Sequence, residues 1–107
     1  MAEKFSLLYI TASSKKEARF IGRVLVQKRL CACVNILDKM ESHYWWKGEL
    51  ETGHETVLIA KTRNRLVKKA IREVTSLHSY ECPCIVALPI TDGYPGFLDW
   101  IKAETRG

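Results

Sequence analysis

The stretch CACVNILDKMESHYWWKG, residues 31–48, reads as one long extended run that ends in two adjacent tryptophans and a Lys-Gly turn. Val34, Ile36 and later Tyr44 to Trp46 supply the strand-forming residues, and Gly48 supplies the positive φ that a tight turn needs. The next apolar run, Glu55 to Thr62 (ETVLIAKT), closes a hairpin with it. From Ala32 to Trp46 the strand spans about 50 Å at about 3.3 Å per residue. A compact chain of this size is only about 35 Å across. The hairpin must therefore overhang its own sheet unless a bulge folds it back, and an exposed edge carrying tryptophan needs a cover. Another copy of the chain is the economical cover. The expectation is an obligate homo-oligomer with Tyr44, Trp45 and Trp46 at the interface. Trp45 and Trp46 point to opposite faces of the strand, so they serve different contacts.

Outward from the hairpin, the remaining elements fall into place. Phe5 to Thr11 (FSLLYIT) is a buried strand. Ser14 and Glu17 fit a capping box that opens a helix with Ala18, Ile21, Gly22 and Leu25 on one face, running to about Lys28. Asn64 is placed to cap a second helix, whose stripe is Val67, Ala70, Ile71, Val74 and Leu77. Ile85 to Ile90 is a fourth strand, and Pro89 inside it argues for an edge position. Asp92 to Pro95 is a turn, and Gly96 to Glu104 is a short amphipathic helix. The order β-α-β-β-α-β plus a terminal helix predicts an α+β, ferredoxin-like domain over residues 1–107, with helices on one face of a four-stranded antiparallel sheet.

Composition limits what such a domain does. One hundred and seven residues make one core. Apolar residues at 47% and charged residues at 27% are those of a soluble globular protein. No run is long enough to span a membrane, and the N-terminal stretch lacks the pattern of a secretory signal, so the expected location is the cytoplasm. Seventeen Lys and Arg against twelve Asp and Glu give +5, spread along the two helices as solvated faces.

Four cysteines form two C-x-C pairs, Cys31/Cys33 and Cys82/Cys84. A disulfide framework does not suit a cytosolic chain, which leaves packing, soft-metal binding or redox chemistry. Alternation along a strand would turn both members of each pair to one side. Their Cβ atoms would then lie about 6.5–7 Å apart, too far for a tetrahedral zinc unless the strand bends. The second and fourth strands belong at opposite edges of the sheet, so the two pairs could meet only across an interface between copies.

The blocks Ala32 to Ile36 (ACVNI), Ser42 to Gly48 (SHYWWKG), Glu55 and Lys61-Thr62 strongly resemble the CutA family, the divalent-cation tolerance proteins. His78 to Ile85 (HSYECPCI) is similar to that family's His-Pro-Tyr-Glu-x-Pro block, and Trp100-Ile101 to its terminal helix. The resemblance implies a ferredoxin-like subunit, a tight homotrimer similar to PII signalling proteins, and a link to tolerance of copper or another divalent metal. It implies no known reaction. Members credited with copper binding carry a late first-strand cysteine and a His-His pair; the corresponding positions here are Ile10 and Leu77-His78. Ser79 stands where proline is usual and Cys84 where glutamate is.

The candidate metal residues are therefore His78, Cys33, Cys82 and Cys84, with thiolate and imidazole suiting Cu(I) or zinc over magnesium or calcium. His78 also ends a helix, where the dipole favours it. Lys61, Tyr80 and Glu81 can line a polar pocket beside it for a small anionic ligand. The leading reading is a non-enzymatic binding or signalling trimer whose partner is itself, with metal or small ligands between subunits. RNA binding is the rival, because ferredoxin-like sheets with aromatics also recognise RNA, but the K/R-G-F/Y pattern is absent. A Cys–His enzyme using Cys33 or Cys82 with His78 is the third; no phosphate loop, G-x-S-x-G or H-E-x-x-H occurs.

Overall fold

A computed structural model describes residues 3–106. The element order is β1 (Phe5–Ala12), α1 (Lys15–Gln27), β2 (Cys33–Trp46), β3 (Glu49–Arg63), a 3-10 turn (Asn64–Leu66), α2 (Val67–Leu77), β4 (Ile85–Ile90) and α3 (Pro95–Glu104). The strands form one antiparallel sheet in the order β2-β3-β1-β4. The α+β, ferredoxin-like expectation holds with α1 and α2 on one face of the sheet, but α3 lies on the other, against Phe5 and Ile90. Pro89 does lie on an edge strand, opposite Ser6.

Two layers of side chains build the core. Leu8, Ile10 and Ala12 of β1, with Leu58 and Ala60 of β3, pack under Ala18, Ile21 and Leu25 of α1 and Ala70 and Val74 of α2. Each of these is fully buried. Side chains alternate across a strand, so their neighbours turn to the opposite face. The register therefore places Leu7, Tyr9, Ile59, Val86 and Leu88 together on the face away from α1 and α2. Helix α3 covers one end of that second face, where Phe5, Ile90, Ile101 and Leu98 cluster. The rest stays open: Leu37, Val86 and Leu88 are 57%, 49% and 47% exposed.

The hairpin is longer than the sequence suggested. β3 begins at Glu49 rather than Glu55 and pairs with β2 right up to the turn. β1 pairs with β3 only from Thr56 onward, so Glu49 to Glu55 and Met40 to Trp46 form a two-stranded arm beyond the sheet. The molecule is accordingly elongated, 46 × 25 × 22 Å. The arm closes through Lys47 at φ 49° and Gly48 at φ 84°, the pair of positive φ values of a type I′ turn.

A bulge divides the arm from the sheet. Leu37 pairs with Val57 and Met40 with Glu55, so Asp38 and Lys39 together oppose Thr56 alone. Lys39 takes a left-handed φ of 63°. Asp38 holds the bulge by accepting hydrogen bonds from the Thr56 hydroxyl and the Lys39 amide, each at 2.8 Å. Those contacts, the Thr56 hydroxyl first, hold the Asp38 carboxyl below its ordinary pKa. One inserted residue reverses the facing of everything beyond it. Cys33, Asn35 and Leu37 share the open face before the bulge, and Met40, Ser42, Tyr44 and Trp46 share it after. Trp45 is turned to the other side, opposite Leu50; the two are 73% and 62% exposed. The expected opposition of the two tryptophans is present.

Three local expectations change. Ser14 caps α1 through its hydroxyl, which accepts from the Glu17 amide at 3.1 Å, but the Glu17 carboxylate reaches the Ser13 amide and hydroxyl instead of closing the box on Ser14. Asn64 does not cap α2; it opens the 3-10 turn, and its side-chain oxygen accepts from the Ser6 hydroxyl. The cysteines of the first pair do not face one side. β2 starts only at Cys33, so Cys31 lies in the bend before it with its thiol in the helix-side core, while Cys33 shares the open face with Lys61.

Candidate functional site

An open cleft of about 810 Å³ lies on the open face of the sheet, between the root of the arm and residues 79–84. Its floor is Tyr9 and Thr11 of β1; one wall is the arm, with Met40, Ser42, Tyr44, Trp46 and Glu55. The opposite wall is the connection from α2 to β4, with Ser79, Tyr80, Glu81, Cys82 and Cys84. The bulge makes this possible, because it turns Met40, Tyr44 and Trp46 inward together.

The walls are tied to each other and to α1. The Tyr80 hydroxyl donates to Glu55 Oε2 at 2.9 Å, bridging the connection to the arm. Burial, and then this bond to a carboxylate, raise the Tyr80 pKa well above the ordinary phenol value, so the ring stays a neutral donor. Glu17 of α1 accepts from the Ser79 amide at 2.7 Å. Partial burial opposes its ionisation, but the hydrogen bonds from Ser79 and Ser13 outweigh that and hold its pKa down at about 2. Thr11 donates its amide to the Cys84 carbonyl at 3.2 Å, extending the sheet to the cleft floor.

His78 sits beneath this wall with its side chain fully enclosed. Its Nε2 lies 2.7 Å from the Thr11 carbonyl, and its Nδ1 accepts the Tyr80 amide at 3.1 Å. That pair of backbone contacts requires the proton on Nε2 and leaves neither nitrogen for a ligand. The Tyr80 ring packs against it, centroids 4.7 Å apart. In this arrangement His78 orders the connection from α2 to β4.

The residues expected at a site are thus divided. Tyr80, Glu81, Cys82 and Cys84 come together in the cleft. Cys82 and Cys84 are both exposed there as free thiols. Lys61 lies elsewhere, donating to Asn35 Oδ1 on the open face beside Cys33. β2 and β4 are at opposite edges, as expected, so Cys33 and the Cys82/Cys84 pair do not meet within one chain. Among the described residues no three His, Cys, Asp or Glu side chains converge as a metal site. Cys31 is packing: it is 1% exposed, and burial, with Cys33 nearby, pushes its thiol up to about 12.

The cleft contains residues that pattern reading did not assign to a site, namely Tyr9, Met40, Glu41, His43 and Glu55. For Glu55 the signal is positional. Glu55 stands two residues before Val57 on β3, so alternation already assigns it to the open face. His43 is held at the rim, with Nδ1 3.0 Å from the Thr52 hydroxyl and Nε2 2.7 Å from Glu41 Oε2.

A ferredoxin-like domain with an overlong hairpin and a cleft at its root defines a narrow class of protein. Residues 6–104 match the family model described as CutA1 divalent ion tolerance protein, and the chain belongs to that family. The divalent-cation tolerance protein CutA of Archaeoglobus fulgidus is 45% identical over 90% of this chain and 93% of its own. The solved structure of the divalent cation tolerance protein from Thermus thermophilus superposes with a TM-score of 0.93 at 40% identity, covering 95% of this chain and 99% of that one. The chloroplastic protein CutA 1 of rice is 37% identical over 94% of this chain, which spans 56% of that relative's length. A chloroplastic relative shows that the family is not confined to the cytoplasm. In this chain no helix among the described residues is long and apolar enough to cross a membrane.

Proposed function

We propose that this member of the CutA1 family acts as a non-enzymatic, cytoplasmic homotrimer in divalent-cation tolerance, with its clefts at the boundaries between subunits. The observation that supports the assembly is the uncovered apolar sheet face. In a two-layer fold one side of the sheet rests on helices, and here the other side presents Leu37, Val86 and Leu88 about half exposed, with none of the described residues covering them. The two-stranded arm needs a partner as well, because such a ribbon is marginal on its own in water. A second subunit laid on this face covers both and encloses the cleft, which opens onto it. Tyr44 and Trp46 then form part of this contact, and Trp45, on the arm's other side, meets a neighbour separately.

Within that assembly the metal-binding residues we favour are Cys82 and Cys84, exposed in the cleft wall, since thiolates suit copper in its reduced form, or zinc. Cys33 joins them only if a neighbour's β2 is brought to β4. His78 supports them through the backbone it orders. Native mass spectrometry of chelator-free protein titrated with Cu(I), Cu(II) and Zn(II) tests both parts. A trimer that takes up metal in multiples of three, and stops doing so as the Cys82→Ser/Cys84→Ser variant, is the expected result. A species at the single-chain mass of 12.3 kDa overturns the assembly.

A further inference from the structure

The charge of the cleft runs against that of the chain. The protein carries 17 Lys and Arg against 12 Asp and Glu, yet among the described residues no Lys or Arg lines the cleft, while Glu55 and Glu81 do; Glu41, at its edge, turns its carboxylate to His43 on the arm's other face. Four aromatic rings, from Tyr9, Tyr44, Trp46 and Tyr80, share the same walls. An anion would meet carboxylates and the negative faces of rings, and Lys61, expected beside it, donates to Asn35 away from the cleft. A bare metal ion is a poor match for the whole space: no three metal-donor side chains converge among the described residues, and about 810 Å³ is the size of a site for an organic molecule. Aromatic faces with carboxylates beside them are what holds an ammonium group.

The chain itself places one there. The Lys47 ammonium lies 5.5 Å from the centroid of the Trp46 ring and 3.6 Å from Glu81 Oε2. It comes from the arm's turn and is well exposed, so it marks the rim and leaves the interior open. Trp46 and Glu81 therefore already act as a pair on a cationic nitrogen.

We propose that the cleft binds an organic cation, an amine that is protonated or quaternary, with its charged end against the faces of Tyr44, Trp46 and Tyr80 and with Glu55 and Glu81 as counter-charge. This rests on the same cleft as the functional reading and names a second ligand class for it. Ser42, Ser79 and Thr11 offer hydroxyls for a polar tail. Glu55 is positioned by Tyr80, which takes one lone pair of Oε2 and leaves the other oxygen to the ligand.

Choline and its neutral isostere 3,3-dimethylbutan-1-ol are the probes, with pyrophosphate as the anion, read by calorimetry and by shifts of amide resonances in residues 40–46 and 79–84 on the intact protein. Choline should bind about tenfold more tightly than the isostere, the increment of a desolvated cation–π contact. Glu55→Gln, which keeps the shape and the acceptor for Tyr80, should weaken choline severalfold, and Lys47→Gln, which removes the competing ammonium, should tighten it. Equal binding of the isostere, preference for pyrophosphate, or no shift of the cleft amides overturns the proposal. The oligomeric mass, recorded on the same samples, keeps the two readings apart. A trimer that ignores choline sinks this inference alone, and a monomer that binds it sinks only the assembly.

Discussion

The Tyr80 hydroxyl donates to Glu55 Oε2 across 2.9 Å, and through this contact the connection between α2 and β4 grips the root of the hairpin arm. The arm makes no pairing with β1 beyond Thr56, so this bond is one of the contacts that fix its angle. Tyr80→Phe keeps the ring against His78 and deletes only the donor. A hydrogen bond to a charged acceptor is worth about 1.5–3 kcal/mol, less where water can replace it. The expected loss is about 1 kcal/mol in urea unfolding, with faster hydrogen exchange across residues 49–55. An unchanged exchange pattern would show that the arm is held without it.

Glu17 makes stability pH-dependent in a defined direction. Its folded pKa of about 2 lies below the ordinary 4.5. The carboxylate form is therefore favoured by folding, and its contribution is complete above about pH 4.5 and disappears as pH falls towards 2. The difference amounts to up to about 3 kcal/mol. Glu17→Gln should lower the stability of the protein at pH 7, and the gap between the two proteins should close by about pH 2. Urea titrations across this range measure it. A gap that persists at the acid end would mean that lost packing, not lost charge, is responsible.

The thiols should separate by reactivity. Cys31 is enclosed in the core with its pKa raised to about 12, whereas Cys82 and Cys84 are exposed. Since the thiolate is the reacting form, brief iodoacetamide treatment of native protein should leave Cys31 unmodified and label residues 82 and 84. Peptide mass analysis reads the sites, and denaturant should expose Cys31. Labelling of Cys31 in the native state would place it outside the core.

Lys47 occupies a position that suits another residue better. At φ 49° it carries the strain that Asn and Gly avoid in a type I′ turn, and Gly48 follows at φ 84°. Lys47→Asn should slow local opening of the arm tip, by a few tenths to about 1 kcal/mol in exchange protection. It gives up an exposed ion pair with Glu81, an interaction worth little. Gly48→Ala should do the reverse, since its Cβ meets no atom within 4 Å and only the backbone angle resists it.

What can be read from sequence depends on which forces are local. Alternation and helical spacing are local, so the sheet order and the edge position of Pro89 follow directly. The bulge at Asp38 and Lys39 does not, because it depends on Thr56 across the ladder. Without it, the faces of Met40, Tyr44 and Trp46 are assigned wrongly, and the cleft they share with Tyr80 goes unseen. Asn64 and Glu17 each read as the partner of a nearby backbone amide. Their actual partners include Ser6 and Ser79, which lie far along the chain, and only the tertiary fold brings them close. Lys61 and Glu81 look alike as polar members of the family's motif blocks. The register separates them, sending Lys61 to Asn35 and Glu81 to the cleft.

The open face offers the most direct test of the assembly. Leu88 on β4 is 47% exposed and shares that face with Leu7, its partner on β1. Leu88→Arg places a charge where the subunit contact is proposed, and at half exposure an isolated chain can leave the guanidinium in water. The expected result is a folded protein, by circular dichroism, that elutes at a single-chain mass while the unsubstituted protein elutes at three times that. Phe20→Arg is the control: Phe20 is 53% exposed on α1, on the helix side of the sheet, so the same change there should leave the trimer whole. If Leu88→Arg also remains trimeric, the subunits meet through the arm and strand edges, and the open face needs another partner.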